Sequence, residues 1–246
     1  MTYELTKEEI SEVTGIPTGK SSGKVEPHIM YAIYMGLISN ISETKNKYRL
    51  VCTPLGKVIK TEDIGFHEEI SQLICHVRLT SPTTGAPLWS TITRDVLPNY
   101  PNGIKHILLE DELKKRCYLG EGKIRTGAFF STYEKSFKAI TLLSKCKDTV
   151  TFISQDYKNE LFYVYVYALL YEWEQMYPYN NEISSIELNE LKFASAFGFN
   201  QMTINKVLGH ISEKGLININ GQLSPFTIIK VIKLEDILSL LYSLLS

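Results

Sequence analysis

Side chains that could hold a phosphate or cut a bond occur in a few short runs of this sequence. Gly15-Ile16-Pro17-Thr18-Gly19-Lys20-Ser21 has the glycines, lysine and hydroxyl of a phosphate-binding loop. A nucleotide-hydrolysing loop, however, needs four residues between its glycines, and this run has three. No strand is expected before it, so ATP or GTP chemistry is excluded. Gly19-Lys20-Ser21-Ser22-Gly23 also spells G-x-S-x-G, but a nucleophile elbow requires a strand in front and an α/β sheet around it. His67-Glu68-Glu69-Ile70-Ser71 opens like a metalloprotease helix and ends in serine where the second histidine is needed. His28, His67, His76, His106 and His210 are scattered singly, and Cys52, Cys75, Cys117 and Cys146 lie 23, 42 and 29 positions apart. No zinc cluster, redox dithiol or acid/base pair is encoded, so neither metal nor cofactor is expected. Tyr163, Tyr165, Tyr167, Tyr171 and Trp173 could stack on bases, but their apolar, acidic run is better explained by core packing.

Binding chemistry survives this sorting. Residues 17 to 60 carry a net charge of +5, although the whole chain of 246 residues balances 26 basic against 27 acidic side chains. Lys20, Ser21, Ser22 and Lys24 precede a helix, where backbone donors and the helix dipole favour phosphate. Lys45, Lys47 and Arg49 fall on a following hairpin. Gln201, Thr203, Asn205, Lys206 and His210 occupy the polar face of a second helix, in the position from which a major-groove helix reads base edges. Residues 151 to 190, by contrast, carry −6 and do not suit a phosphate backbone.

The elements that hold these residues are legible from periodicity and punctuation. Thr6 with Glu9 is a capping box opening a helix that stops at Gly15. A second helix starts between Ser22 and Glu26 and runs to Gly36. Leu37-Ile38 and Tyr48 to Cys52 form the strands of a hairpin around polar residues 39 to 47. The order recurs near the other end: a helix from Ser185 to Phe197, a turn at Gly198 to Asn200, and a helix from Gln201 to Lys214. Leu216 to Ile219 and Phe226 to Ile232 then flank the hairpin signal Asn220-Gly221. Residues 66 to 178 are expected to be helical throughout, in segments His67–Thr80, Leu88–Leu97, Ile104–Leu119, Gly127–Cys146 and Asn159–Tyr177. The last helix, Leu234 to Leu245, is so apolar that it must pack on the body of the protein or on a second copy in a homodimer. The fold class is therefore mainly α, with winged helix-turn-helix units at both ends (1–62 and 181–246) flanking a helical middle domain (63–180).

Several of these runs resemble a known family. Gly15-x-x-x-Gly19-Lys20-Ser21-Ser22-Gly23-Lys24-Val25, Met35-Gly36-Leu37-Ile38, Thr53-Pro54-Leu55-Gly56-Lys57-Val58-Ile59, His67-Glu68, Leu73, His76-Val77, Leu79 and Ala86-Pro87-Leu88-Trp89 are similar to an uncharacterised bacterial family. Its members are encoded beside enzymes similar to phosphoadenosine phosphosulfate reductase, in loci of DNA phosphorothioate modification and phage defence. The resemblance covers residues 15 to 97 and lacks the family's N-terminal Gly-His-Glu-Thr-Phe stretch. It implies a place in such a locus, with a sulfotransfer or other defence enzyme as partner, and carries over no catalytic residue.

The expectation is a non-catalytic accessory subunit that binds double-stranded DNA. The alternative is an adaptor whose winged units bind a partner enzyme. The acidic start Met1-Thr2-Tyr3-Glu4 and the longest apolar stretch, Leu161 to Tyr171, predict neither a signal peptide nor a membrane span, so the chain is expected in the cytoplasm, away from membranes.

Overall fold

A computed structural model describes residues 4–19, 24–117, 124–222 and 224–245. It is mainly α, and the chain divides into two compact units, residues 1–66 and 67–246. Among the described residues no helix is long and apolar enough to cross a membrane.

In the first unit, helix α1 (Lys7–Thr14) opens with the expected box. The Thr6 hydroxyl accepts from the Glu9 amide, and the Glu9 carboxylate accepts from the Thr6 amide. Gly15, at φ 71°, closes it. Helix α2 (Val25–Tyr34) leads to β1 (Ile38–Asn40), which pairs antiparallel with β2 (Leu50–Cys52). Ile10, Val25 and Ile29 form the buried centre, with Leu5, Ile16, Ile33, Ile38 and Tyr48 packed around them.

The expected order does not contain the next helix, α3 (Pro54–Glu62). Thr53-Pro54-Leu55-Gly56 builds its first turn. The Thr53 hydroxyl accepts from the Gly56 amide at 2.9 Å and donates to the Gly36 carbonyl at 2.5 Å, and Pro54 needs no donor at that position. Gly56 is required by close approach, since a Cβ there would lie 1.9 Å from the Leu37 carbonyl oxygen.

The second unit begins with α4 (Glu69–Leu79) and α5 (Pro87–Ser90), which runs through a π-helical turn, Thr91–Val96. Strand β3 (Ile104–Lys105) precedes α6 (His106–Arg116), and α7 (Gly127–Ser131) continues into a second π-helical turn, Thr132–Ser136. Strands β4 (Leu143–Cys146) and β5 (Thr149–Phe152) join β3 in an antiparallel sheet of order β3-β5-β4. The middle segment is therefore not helical throughout, and the expected helix Gly127–Cys146 ends near Ser136. Lys147 turns the chain with φ 52°, and β-branched Thr149, Val150 and Thr151 with Phe152 form a strand whose Val150 is fully buried.

Helix α8 (Phe162–Met176) is the axis of this unit and is buried along most of its length. Strand β6 (Glu182–Ser184) leads into α9 (Ser185–Glu190), which Ser184 and Glu187 open with a second capping box. A 3-10 turn, Phe193–Phe197, then leads to α10 (Gln201–Glu213), β7 (Ile217–Asn220), β8 (Thr227–Lys230) and α11 (Leu234–Leu238). The sheet order is β6-β8-β7. The single helix expected over Ser185–Phe197 is broken at Lys192, which has φ 51°. Leu191, Phe193, Ala194, Ala196 and Phe197 are all buried, more than one face of a continuous helix can bury.

No domain boundary falls at residues 180/181. Helix α8 packs against α4, α10, α11 and the 3-10 turn, so residues 67–180 and 181–246 share a core. The C-terminal segment is helical only over Leu234–Leu238 and continues as turns. Its Ile237 and Leu241 are buried, and its Tyr242 hydroxyl lies 2.6 Å from Ser71 Oγ, so its packing partner is the body of its own unit.

Candidate nucleic-acid interface

Helix α10 begins where Asn200 caps it. Asn200 Oδ1 accepts from the Thr203 amide at 2.9 Å and from the Thr203 hydroxyl at 3.2 Å. Val207, Leu208 and Ile211 anchor one side in the core. Gln201, Met202, Asn205 and Lys206 are exposed on the other, and Gln201 Nε2 donates to Asn205 Oδ1 at 2.9 Å. Lys206 Nζ rests 4.7 Å from the centre of the Tyr157 ring. The hairpin β7–β8 follows directly, turned by Gly215 at φ 70° and a hydrogen bond from the Leu216 amide to the Ile211 carbonyl at 3.1 Å. Asn218 and Asn220 are exposed on it.

Five sequence-selected residues of this unit thus have different situations. Gln201, Asn205 and Lys206 face outward together. Thr203 is spent on the cap. His210 is half-buried, hydrogen-bonded through Nδ1 to the Tyr157 hydroxyl and packed 4.5 Å, centre to centre, from the Phe162 ring. Burial raises the Tyr157 hydroxyl pKa, with the Glu160 and Glu213 charges adding to it.

In the first unit, Lys20, Ser21 and Ser22 lie outside the described residues. Lys24 is the N-cap residue of α2, without a side-chain cap bond. Lys45 and Lys47 are exposed in the hairpin loop, and Arg49 is half-buried. Asn40 Oδ1 organises that loop by accepting from the amides of Ser42 and Arg49. The basic loop is partly offset by Glu4, whose carboxylate accepts from Ser42 Oγ at 3.0 Å. Hydrogen bonds with Thr44 and Ser42, then the charges of Lys47 and Arg49, hold Glu4 below the usual carboxylate range.

A buried polar network that the sequence did not announce positions α9 and the 3-10 turn of the second unit. Arg94 and Glu172, 3.3 Å apart, have no solvent exposure. Arg94 also donates to the Thr80 hydroxyl and to the carbonyls of Val77, Lys192 and Phe193, so its guanidinium clamps the break between α9 and the 3-10 turn. Glu172 additionally accepts from Ser81 Oγ at 2.9 Å. Burial raises the Glu172 carboxyl pKa against the lowering effect of Arg94 and Ser81. His76 Nε2 donates to the Ala196 carbonyl at 2.9 Å, which leaves Nδ1 to accept from the Tyr133 hydroxyl at 2.6 Å. Burial, then the Arg94 charge, pushes the His76 pKa down to about 3, so the ring is neutral. Both π-helical turns supply members of this network, Arg94 from one and Tyr133 from the other. The available signal was a charge set in apolar sequence: Arg94 in Thr91-Ile92-Thr93-Arg94-Asp95-Val96, and Glu172 after the run ending at Tyr171.

The chain is thus a mainly α protein in which a polar helix stands exposed ahead of a β-hairpin. Two solved crystal structures are similar to it in fold, one described as SspB and one as magnesium ion-bound SspB. Both superpose with a TM-score of 0.65 over 92% of this chain and 75% of the other, at 14% and 13% sequence identity respectively. No family model and no curated protein matches the chain. Among the described residues no three His, Cys, Asp or Glu side chains converge to hold a metal ion.

Proposed function

We propose that this protein binds duplex DNA, with residues 182–230 acting as a winged helix whose α10 enters the major groove and whose β7–β8 hairpin lies beside it. The observation that carries the reading is the outward grouping of Gln201, Asn205 and Lys206 on a helix whose opposite side is locked into a core. Amides suit base edges and a lysine suits phosphate. The first unit, with Lys24, Lys45, Lys47 and Arg49, forms a second winged helix and a second phosphate contact. The resemblance of residues 15 to 97 to the family of phosphorothioation loci supports an accessory role in DNA modification or phage defence, beside a sulfotransfer or other defence enzyme.

Replacing Asn205 and Lys206 together by alanine tests this in a gel-shift titration of the full chain on random duplex. Both side chains are exposed, so the fold is kept. The double variant is expected to bind at least about tenfold more weakly, and unchanged binding would remove α10 from the interface.

Exposed apolar side chains favour a second reading, in which this surface docks a protein. Met202 is 77% exposed on α10 and Ile186 61% exposed on α9. Weak DNA binding that survives the double substitution would favour it.

A further inference from the structure

Two helical glycines in this protein contrast. Gly56 of α3 is explained from within, because a Cβ there would lie 1.9 Å from the Leu37 carbonyl oxygen. Gly209 lies in the interior of α10, and a Cβ there would meet nothing within 4 Å. Its φ is not in the left-handed region, so its backbone imposes no need for glycine. Glycine in a helix interior costs stability relative to alanine, and at Gly209 no contact within the protein offsets that cost.

Gly209 is one turn beyond Asn205 and two beyond Gln201, so the three share one side of α10. The two amides on this side are exposed and uncharged, and Lys206 flanks them. We infer that Gly209 is bare because the sugar–phosphate backbone of a bound duplex passes against α10 there, closer than any side chain would allow. The inference rests on the DNA-binding reading and adds a residue to it. Amides on the first turns reach base edges, and the missing side chain two turns on lets the helix sink into the groove rather than ride on its wall.

Gly209→Ala separates this from a tolerated accident of sequence. In the full chain the substitution is expected to raise the melting temperature by about 2–4 °C while weakening duplex binding at least about fivefold. Gly209→Gln, a larger helix former, should weaken binding further without unfolding the protein. Wild-type affinity in both variants would overturn the role of Gly209 and leave the DNA-binding reading standing. Absence of duplex binding by the wild-type chain would overturn both.

Discussion

His76 spends both ring nitrogens on internal partners and has no room for a second proton. Its folded pKa, about 3, lies below the ordinary value of 6.5, so the unfolded chain takes up a proton that the folded chain refuses. Stability should therefore fall as pH drops from 6.5 toward 3, by at most ~1.4 kcal/mol per pH unit from this residue. Glu172 acts with the opposite sign, because its raised pKa makes the folded state bind a proton more readily as pH falls. Urea unfolding between pH 7 and 4 isolates the His76 part: His76→Gln should flatten the acid limb, and an unchanged limb would refute the assignment. Removing the partner of Glu172 is a harsher change. Arg94→Ala leaves a buried carboxylate and four other acceptors without their donor, and should cost about 3–5 kcal/mol in the same measurement. Neither residue was legible as part of a network in the sequence. Tyr133 and Ala196 lie 57 and 120 positions from His76, and Glu172 lies 78 from Arg94, and no local pattern encodes such pairings.

Elements whose signals are local were read correctly. The capping box at Thr6, the stop at Gly15, the face of α10 with Val207, Leu208 and Ile211 buried, and the hairpin at Asn220-Gly221 all depend on residues within a few positions of one another. The misread elements depend on distant partners. Strand β4 falls within the stretch expected to be helical, and its pairing with β5, which distant β3 joins on the other edge, decided its conformation. The break at Lys192 is held by Arg94, 98 positions away. Helix α3 is a different case, since Thr53, Pro54 and Gly56 were noted as a motif although their meaning is a cap and a close approach. Thr53→Ala should cost about 1 kcal/mol for the lost cap. Gly56→Ala should cost more than the ~1–3 kcal/mol of ordinary overpacking, because the atom it meets is backbone. Thermal unfolding of the two variants checks that order, and an equal effect would show that α3 can shift away from Leu37.

Charge is distributed unevenly along the chain. Residues 17 to 60 are basic by five charges and residues 151 to 190 acidic by six, within a chain of net charge −1. If the chain binds DNA as proposed, binding depends on local contacts and not on a global field, and a modest number of phosphates should be engaged. The decisive measurement is fluorescence anisotropy of the full chain on a labelled random duplex across a salt series. Logarithmic affinity should fall linearly with the logarithm of salt concentration, with a slope of about 0.9 per phosphate contacted, and Lys206→Ala should reduce that slope by about one. No binding at the lowest salt, or binding indifferent to salt, would contradict the assignment of α10 and its hairpin as a DNA-binding surface.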